Sequence, residues 1–223
     1  MTWLFDLDNT LHNASAGAFQ GVNERMNAYM VEHLGLPEAE ADRLRRDYWQ
    51  RYGATLLGLV RHHGVDGAHF LRETHVLPGL EGQVHGHPHD FDALARLPGR
   101  RVLLTNAPAG YTQRVLGALG IAHLFHAVVT IEDMRMFGHW RPKPDRRMFR
   151  RLLARLKVPA ARCVLVEDTL EHQKAAHSLG LETVWMQRWT RRAGWGMAAS
   201  TRVNRRPAYV GRRIHRLLEL RRR

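Results

Sequence analysis

The sequence contains very little cysteine, which limits how its fold can be held together. Its 223 residues include a single cysteine, Cys163, so an internal disulfide framework is excluded. Cys163 lies in the apolar run 163–166, where a buried packing role is more common than a nucleophilic one. We therefore expect a hydrophobic core without covalent cross-links, in a reducing compartment.

Long apolar runs are also lacking. No stretch approaches the roughly 18 consecutive apolar residues that a membrane-spanning helix requires. A strand-like segment begins at Thr2, which leaves no place for the basic and apolar regions of a secretory signal. These two absences predict a cytoplasmic protein with no membrane partner.

Lysine is scarce, so the positive charge of the chain comes mainly from arginine. The lysines are Lys143, Lys157 and Lys174, whereas the net charge is +13. Residues 191–223 hold eleven arginines against the single acid Glu219, which accounts for +10 of that charge. Such a tail can bind polyanions, but it contains no groove-reading motif. Nucleic-acid binding is therefore kept as an alternative function, and the Gly- and Arg-rich segment 191–207 is predicted to be a loop or partly mobile.

Alternating strand-like and helix-like segments predict the fold class. Apolar runs bounded by turn-forming residues predict buried strands, and helical periodicity fills the intervals between most of them. This alternation is typical of an α/β protein with a Rossmann-like parallel sheet and helices on both faces. The predicted strands are Thr2–Phe5, 101–104, 127–131, 163–166 and Glu182–Met186, with a last edge strand and helix starting at Tyr209.

One long segment departs from this alternation because it shows only helical periodicity. Apolar residues recur at helical spacing in 16–35, in 37–56 and in 67–75. We therefore predict an inserted all-helical cap at 13–80, between two parts of a catalytic core at 1–12 and 81–223.

Two acids follow the first predicted strand. Asp6 and Asp8 are two positions apart on an extended segment, so their side chains point the same way and their charges repel. Ligands of parallel sheets bind at the carboxyl ends of the strands. A divalent cation between the two acids is the simplest arrangement that relieves this repulsion.

Polar residues also follow two other predicted strands. Thr105 and Asn106 end one, Glu167 and Asp168 end another, and Lys143 lies in a proline-flanked loop between them. Strand ends of one parallel sheet converge, so these side chains are expected to share a pocket with Asp6 and Asp8. Oxygen ligands without His or Cys favour Mg²⁺, with Asp6, Asp8, Glu167 and Asp168 as candidate ligands. A nucleophilic aspartate, a metal, a lysine and a threonine together suit phosphoryl transfer.

The order of these motifs resembles the haloacid dehalogenase-like (HAD) hydrolase superfamily over essentially the whole chain. The resemblance implies that Asp6 is the nucleophile and Asp8 the general acid and then base. It also implies that Thr105 and Lys143 stabilise the phosphate, beside Asn106, and that Asp168 is a metal ligand with Glu167 acting directly or through water. Dehalogenating members lack a carboxylate at the position of Asp8, so phosphatase is favoured.

The predicted cap resembles that of the pyrimidine 5′-nucleotidase subfamily. The similarity lies in residues 51–59 and 62–66 and in Leu104-Thr105-Asn106-Ala107. It implies hydrolysis of UMP or CMP, with Tyr52, Thr55 and His62 as candidate substrate contacts. An aromatic residue at helical spacing is often a core residue instead, and another small phosphomonoester, such as a sugar phosphate or pyridoxal phosphate, is the alternative substrate. The oligomeric state is left open.

Overall fold

The computed structural model describes residues 1–189 and 206–221 of the chain. Within these residues, six strands form one parallel sheet in the order β3-β2-β1-β6-β7-β8, and β4 and β5 form a separate antiparallel hairpin. The strands are β1 (Thr2–Phe5), β2 (Arg100–Leu104), β3 (Ala127–Val129), β4 (Arg135–Met136), β5 (His139–Trp140), β6 (Cys163–Glu167), β7 (Glu182–Met186) and β8 (Arg212–Ile214).

Both faces of the sheet are covered, as a parallel sheet requires. Successive side chains of a strand point to opposite faces. Trp3 and Phe5 accordingly pack in one apolar cluster with α6 and α7, whereas Leu4 packs in a second cluster with α8 and α9. This arrangement confirms the predicted α/β class. The helices are α1 (Ala18–Leu34), α2 (Glu38–Tyr52), α3 (Thr55–His63), α4 (Gly67–Thr74), α5 (Leu80–Gln83), α6 (Pro88–Ala95), α7 (Ala109–Leu119), α8 (Arg146–Leu156) and α9 (Leu170–His177).

Helices α1 to α4 form the helical insert between β1 and β2. They bury an apolar cluster of their own, which includes Tyr29, Met30, Leu59 and Phe70 and also receives Ile131 from the core. The insert therefore has its own packing and is joined to the core by shared contacts. Its predicted limits of 13 and 80 remain a prediction.

The single helix predicted for 37–56 is wrong, because α2 and α3 are separate. Gly53 between them has φ +80°, a left-handed conformation that ends a helix and suits glycine. A Cβ at Gly53 would lie 2.8 Å from the ring carbon Cδ of Pro144. The helix break thus presses the α2–α3 turn against the loop that carries Lys143.

Two strand boundaries differ from the sequence prediction by two residues or more. β3 stops at Val129 rather than residue 131, because Thr130 and Asp133 form a capping box that starts a 3-10 helix over Ile131–Met134. The last edge strand is Arg212–Ile214, slightly later than predicted, and a 3-10 helix over Leu217–Arg221 follows it. Most of the segment 191–207 lies outside the described residues. In the described ranges, no helix is both long and apolar enough to cross a membrane.

Candidate active site

The register of the sheet places the first and fourth predicted strand ends side by side. Phe5 pairs with Val166, and the Asp6 amide donates to the Val166 carbonyl at 3.0 Å. Asp6 is therefore adjacent to Glu167, which ends β6. On the other side of β1, Phe5 pairs with Leu103, so Thr105 follows β2 at the same edge of the sheet.

Lys143 lies between the two acids at this edge. Its Nζ donates to Asp6 Oδ1 and to Glu167 Oε2, both at 2.7 Å. Lys143 is fully buried, and Glu167 and Asp6 are 1% and 6% exposed. A lysine from a distant loop is thus the link between the ends of two neighbouring strands.

Asn106 holds the backbone of Lys143 in place. Its side-chain oxygen accepts from the Lys143 amide at 2.9 Å, and its side-chain nitrogen donates to the Lys143 carbonyl at 3.0 Å. Both polar groups of the Asn106 side chain are engaged in this way. The sequence predicts Asn106 as a phosphate contact, which stays a prediction, and the structure adds that its side chain clamps the Lys143 backbone.

Glu167 is fixed by several further groups. Its Oε1 accepts from the Thr169 amide at 3.2 Å, and His172 Nδ1 lies 3.1 Å from its Oε2. The buried Gln173 side chain donates to the Glu167 carbonyl at 2.8 Å. His172 and Gln173 lie on α9 with the spacing of ordinary helical residues, so no sequence pattern identifies them as site residues.

Three carboxylates in the site form a cluster that could hold a metal ion. In the part of the chain that the structure describes, Asp6, Glu167 and Asp168 each offer a carboxylate oxygen within 4.8 Å of the others. All the donors are oxygens, which hard cations such as Mg²⁺ prefer. The Asp8 side chain is not in this cluster.

Burial and mutual repulsion oppose ionisation of two acids in the cluster even though Lys143 lies beside them. Burial and the nearby Glu167 raise the pKa of Asp6 to about 7 although Lys143 acts in the opposite direction. Burial and Glu167 also raise the pKa of Asp168 well above its usual range. For Glu167, burial opposes ionisation, but attraction to Lys143 and His172 holds its pKa below the usual range. A divalent cation would relieve this excess charge, so the residues present fit Mg²⁺.

Asp8 is held by two residues that the sequence analysis did not identify. Its Oδ1 accepts hydrogen bonds from the Tyr111 hydroxyl at 2.9 Å and from His12 Nε2 at 2.8 Å. Burial and the charge of Asp8 raise the pKa of Tyr111 well above its usual range, so the phenol keeps its proton. Tyr111 lies at helical spacing among core residues of α7, a pattern that by itself indicates packing.

Thr105 is 1% exposed and lies at the end of β2. Its amide donates to the Val129 carbonyl at 3.0 Å, which continues the sheet pairing. Its Oγ1 accepts from the Ala107 amide at 3.0 Å, an arrangement that leaves the hydroxyl proton available to an acceptor in the site.

The three candidate substrate contacts of the insert have different surroundings. The Tyr52 hydroxyl and His62 Nε2 are 2.6 Å apart, and the guanidinium groups of Arg51 and Arg61 lie over the Tyr52 ring. Thr55 is 6% exposed, and its hydroxyl donates to the Arg45 carbonyl at 3.0 Å. The Thr55 hydroxyl therefore serves the contact between α2 and α3.

Comparison with known families gives the same assignment as the motifs. The model of the haloacid dehalogenase-like hydrolase family matches residues 1–180. The chain belongs to this hydrolase family. A curated relative is Phosphate metabolism protein 8 of Saccharomyces cerevisiae, which is 25% identical over 191 residues covering 80% of this chain. The match spans only 59% of the length of that relative.

Solved structures of family members share the fold of this HAD hydrolase. A HAD phosphatase from Thermococcus onnurineus is 20% identical with a TM-score of 0.63, over 99% of this chain and 95% of that one. The HAD hydrolase YfnB from Bacillus subtilis bound to magnesium is 20% identical with a TM-score of 0.58, over 98% and 96% of the two chains. Dehalogenases are also among the similar structures, so the fold alone does not separate the two activities.

Proposed function

We propose that this HAD hydrolase is a Mg²⁺-dependent phosphomonoesterase that acts through an aspartyl-phosphate. The observation that carries the proposal is Asp8, a carboxylate two residues beyond the candidate nucleophile Asp6 and 17% exposed at its side chain. Removal of a halide needs no proton donor, whereas an alkoxide leaving group does. A carboxylate held in this place by two hydrogen bonds therefore supports phosphatase chemistry.

In this mechanism an Asp6 carboxylate oxygen attacks phosphorus, and the bond from phosphorus to the ester oxygen breaks. Asp8 gives its proton to the leaving oxygen and then takes one from the water that attacks the aspartyl-phosphate. The Thr105 hydroxyl donates to a phosphate oxygen, and Lys143 keeps Asp6 in place while adding positive charge.

Asp6, Asp168 and the main-chain carbonyl of Asp8 would hold the Mg²⁺, with Glu167 beside them. When bound, Mg²⁺ supplies positive charge that stabilises the phosphoryl group during transfer. Lys143 and the acids around it are fixed by buried contacts, so these residues provide a preorganised site.

We propose pyrimidine nucleoside 5′-monophosphates, UMP and CMP, as the substrates. The support is the subfamily resemblance of the insert together with the contact of Gly53 against Pro144, which brings the α2–α3 turn to the Lys143 loop. Tyr52 and His62 are the candidate base contacts there. Thr55 is a weaker candidate because its hydroxyl is engaged with Arg45.

The first test is phosphate release with Mg²⁺ from nucleoside monophosphates, sugar phosphates, pyridoxal phosphate and p-nitrophenyl phosphate. Selective turnover of UMP and CMP is expected, and turnover of a different class would reject the nucleotide assignment but keep the phosphatase. The variant Asp6→Asn should lower kcat by roughly 10³-fold or more, because an amide is a poor nucleophile. The exposed Asp92→Asn on α6 is the matched control.

The covalent step has a direct readout. Borohydride reduces an acyl phosphate to an alcohol, so quenched turnover followed by reduction should yield homoserine in the peptide that contains Asp6. Full turnover by Asp6→Asn, or a reduced peptide that never appears, would reject the aspartyl-phosphate mechanism.

A further inference from the structure

The carboxylate of Asp8 is held at one oxygen only. Tyr111 and His12 both donate to Oδ1, at 2.9 and 2.8 Å. Across residues 1–189 and 206–221, no hydrogen bond reaches Asp8 Oδ2. The two oxygens of one carboxylate thus have different roles, with Oδ1 fixed and Oδ2 left for another partner.

The turn after β1 brings His12 back to Asp8. Asn9 has φ +58°, and the amides of Thr10 and Leu11 both donate to the Leu7 carbonyl. His12 is fully buried, and its Nδ1 has no hydrogen-bond partner in the described part of the chain. A neutral ring with its proton on Nε2 satisfies this arrangement, because the buried Nδ1 then carries a lone pair rather than an unpaired N–H.

Tyr111 approaches Asp8 from a different element. It lies in the first turn of α7 and is 3% exposed, and its ring contacts His75 edge to face with 6.0 Å between centroids. The Glu132 carboxylate accepts from the Ala109 amide at 3.1 Å, which fixes the start of this helix. The Tyr111 hydroxyl is therefore presented to Asp8 by a rigid support that includes a residue at the end of α4.

We infer that His12 and Tyr111 are positioning residues that fix Asp8 through Oδ1 so that Oδ2 exchanges protons with the reacting groups. This inference rests on the proposed phosphatase function. In the first step, protonated Oδ2 gives its proton to the ester oxygen as the bond to phosphorus breaks. In the second, Oδ2 takes a proton from the water that attacks the aspartyl-phosphate. Without its two donors the carboxylate rotates, and proton transfer to the leaving group loses its alignment.

Two substrates with different leaving groups distinguish the positioning role of His12 and Tyr111 from a purely structural role. A nucleoside 5′-oxygen needs a proton to leave, whereas p-nitrophenolate leaves without one. The ratio kcat/KM covers the steps up to departure of the leaving group, so it reports this first proton transfer. Loss of Asp8 alignment should therefore impair the nucleotide far more than p-nitrophenyl phosphate.

The experiment compares Tyr111→Phe with Tyr29→Phe. Tyr29 is also a buried tyrosine, 7% exposed, and its hydroxyl is 2.9 Å from His69 Nδ1 inside the helical insert. For Tyr111→Phe we expect kcat/KM to fall roughly tenfold or more on the best nucleotide and less than about threefold on p-nitrophenyl phosphate. Tyr29→Phe should change both values by less than about twofold.

His12 provides a second pair of variants if Tyr111→Phe folds poorly. His12→Gln keeps an N–H donor and should retain more nucleotide activity than His12→Leu, with thermal unfolding as the check on folding. Equal losses on the two substrates, or none on either, would overturn the positioning role and leave the phosphatase intact. A wild-type protein that releases phosphate from neither substrate would overturn the proposed function, and the positioning role with it.

Discussion

Lys143→Met tests whether the buried charges at the centre of the site depend on a single ammonium group. The wild-type Nζ donates to Asp6 and Glu167 at 2.7 Å, and the lysine is fully buried. Methionine keeps most of the side-chain volume but removes the charge and both hydrogen bonds. Asp6, Glu167 and Asp168 would then share one pocket without an ammonium group.

The expected cost follows from leaving buried charges unpaired. Removing one partner of a buried ion pair costs about 3–5 kcal/mol, against a total stability of about 5–15 kcal/mol for a typical domain. In a domain of this size that corresponds to a fall in Tm of about 6–20 °C. Lys174→Met is the matched control because Lys174 is exposed on α9, and its effect should stay within about 0.5 kcal/mol.

The cost should shrink as the pH falls. Lys143 holds the pKa of Glu167 below its unfolded value, so it adds stability at neutral pH that is lost as the pH drops toward that pKa. In the variant, the folded-state pKa values of Asp6 and Glu167 rise. Their ionisation then destabilises the fold at high pH, and protonation at low pH relieves it. The second effect reduces the difference between the two proteins as the pH falls from about 7.5 to about 5, and the first adds to it only below the unfolded-state pKa of Glu167, 4.5.

The assay is urea unfolding with a chelator present, at about pH 7.5 and about pH 5, on either side of the Asp6 pKa of about 7. We expect the larger loss of unfolding free energy at the higher pH. A loss at both pH values no greater than that of Lys174→Met would refute the account of a buried, charged network.

Three further predictions test the surroundings of the site. Asn106→Ala removes both hydrogen bonds to the Lys143 backbone and should lower kcat roughly tenfold or more in steady-state assays. An unchanged kcat would contradict the role of Asn106 in holding Lys143. Mg²⁺ must displace the protons of Asp6 and Asp168, so calorimetry should give an apparent Kd that falls at least about tenfold per pH unit up to the Asp6 pKa of about 7. A pH-independent Kd would argue against these acids as ligands. Gly53→Ala places a Cβ 2.8 Å from Pro144 at a left-handed backbone position, whereas Gly35→Ala has a left-handed backbone with nothing within 4 Å of the Cβ. In urea unfolding, Gly53→Ala should therefore lose about 1 kcal/mol more unfolding free energy than Gly35→Ala. Equal losses would show that the α2–α3 turn does not pack tightly against Pro144.

The sheet could be predicted from apolar runs bounded by turn-forming residues. The acids at its edge could be predicted because burying a charge is costly. An acid at the end of an apolar strand is rarely a structural accident, and this is why Asp6, Glu167 and Asp168 could be proposed together. The proline-flanked Lys143 could be added because its loop falls between two predicted strands. The structure places these four residues in contact or in one cluster.

The rest could not be predicted because it depends on contacts between distant parts of the chain. The helix break at Gly53 lies against Pro144, and the helical periodicity across 37–56 does not indicate this contact. Tyr111 has the spacing of a core residue and is one, yet its hydroxyl reaches Asp8. The apolar ring of a tyrosine can pack in the core while its hydroxyl makes a hydrogen bond in the site, so the core pattern does not reveal the second role.

The charges of the site also explain why substrate binding and catalysis should both depend on a cation. Asp6, Glu167 and Asp168 carry three negative charges when ionised, and Lys143 supplies one positive charge that both of its nearest acids share. When these acids are ionised, a phosphomonoester dianion would enter a pocket with excess negative charge. Burial and then the charge of Glu167 raise the pKa of Asp6 to about 7, so both oppose its ionisation. A divalent cation bound at the carboxylates would bring the ionised cluster and Lys143 to zero net charge, so in the proposed phosphatase it would favour binding of the dianion as well as transfer of its phosphoryl group.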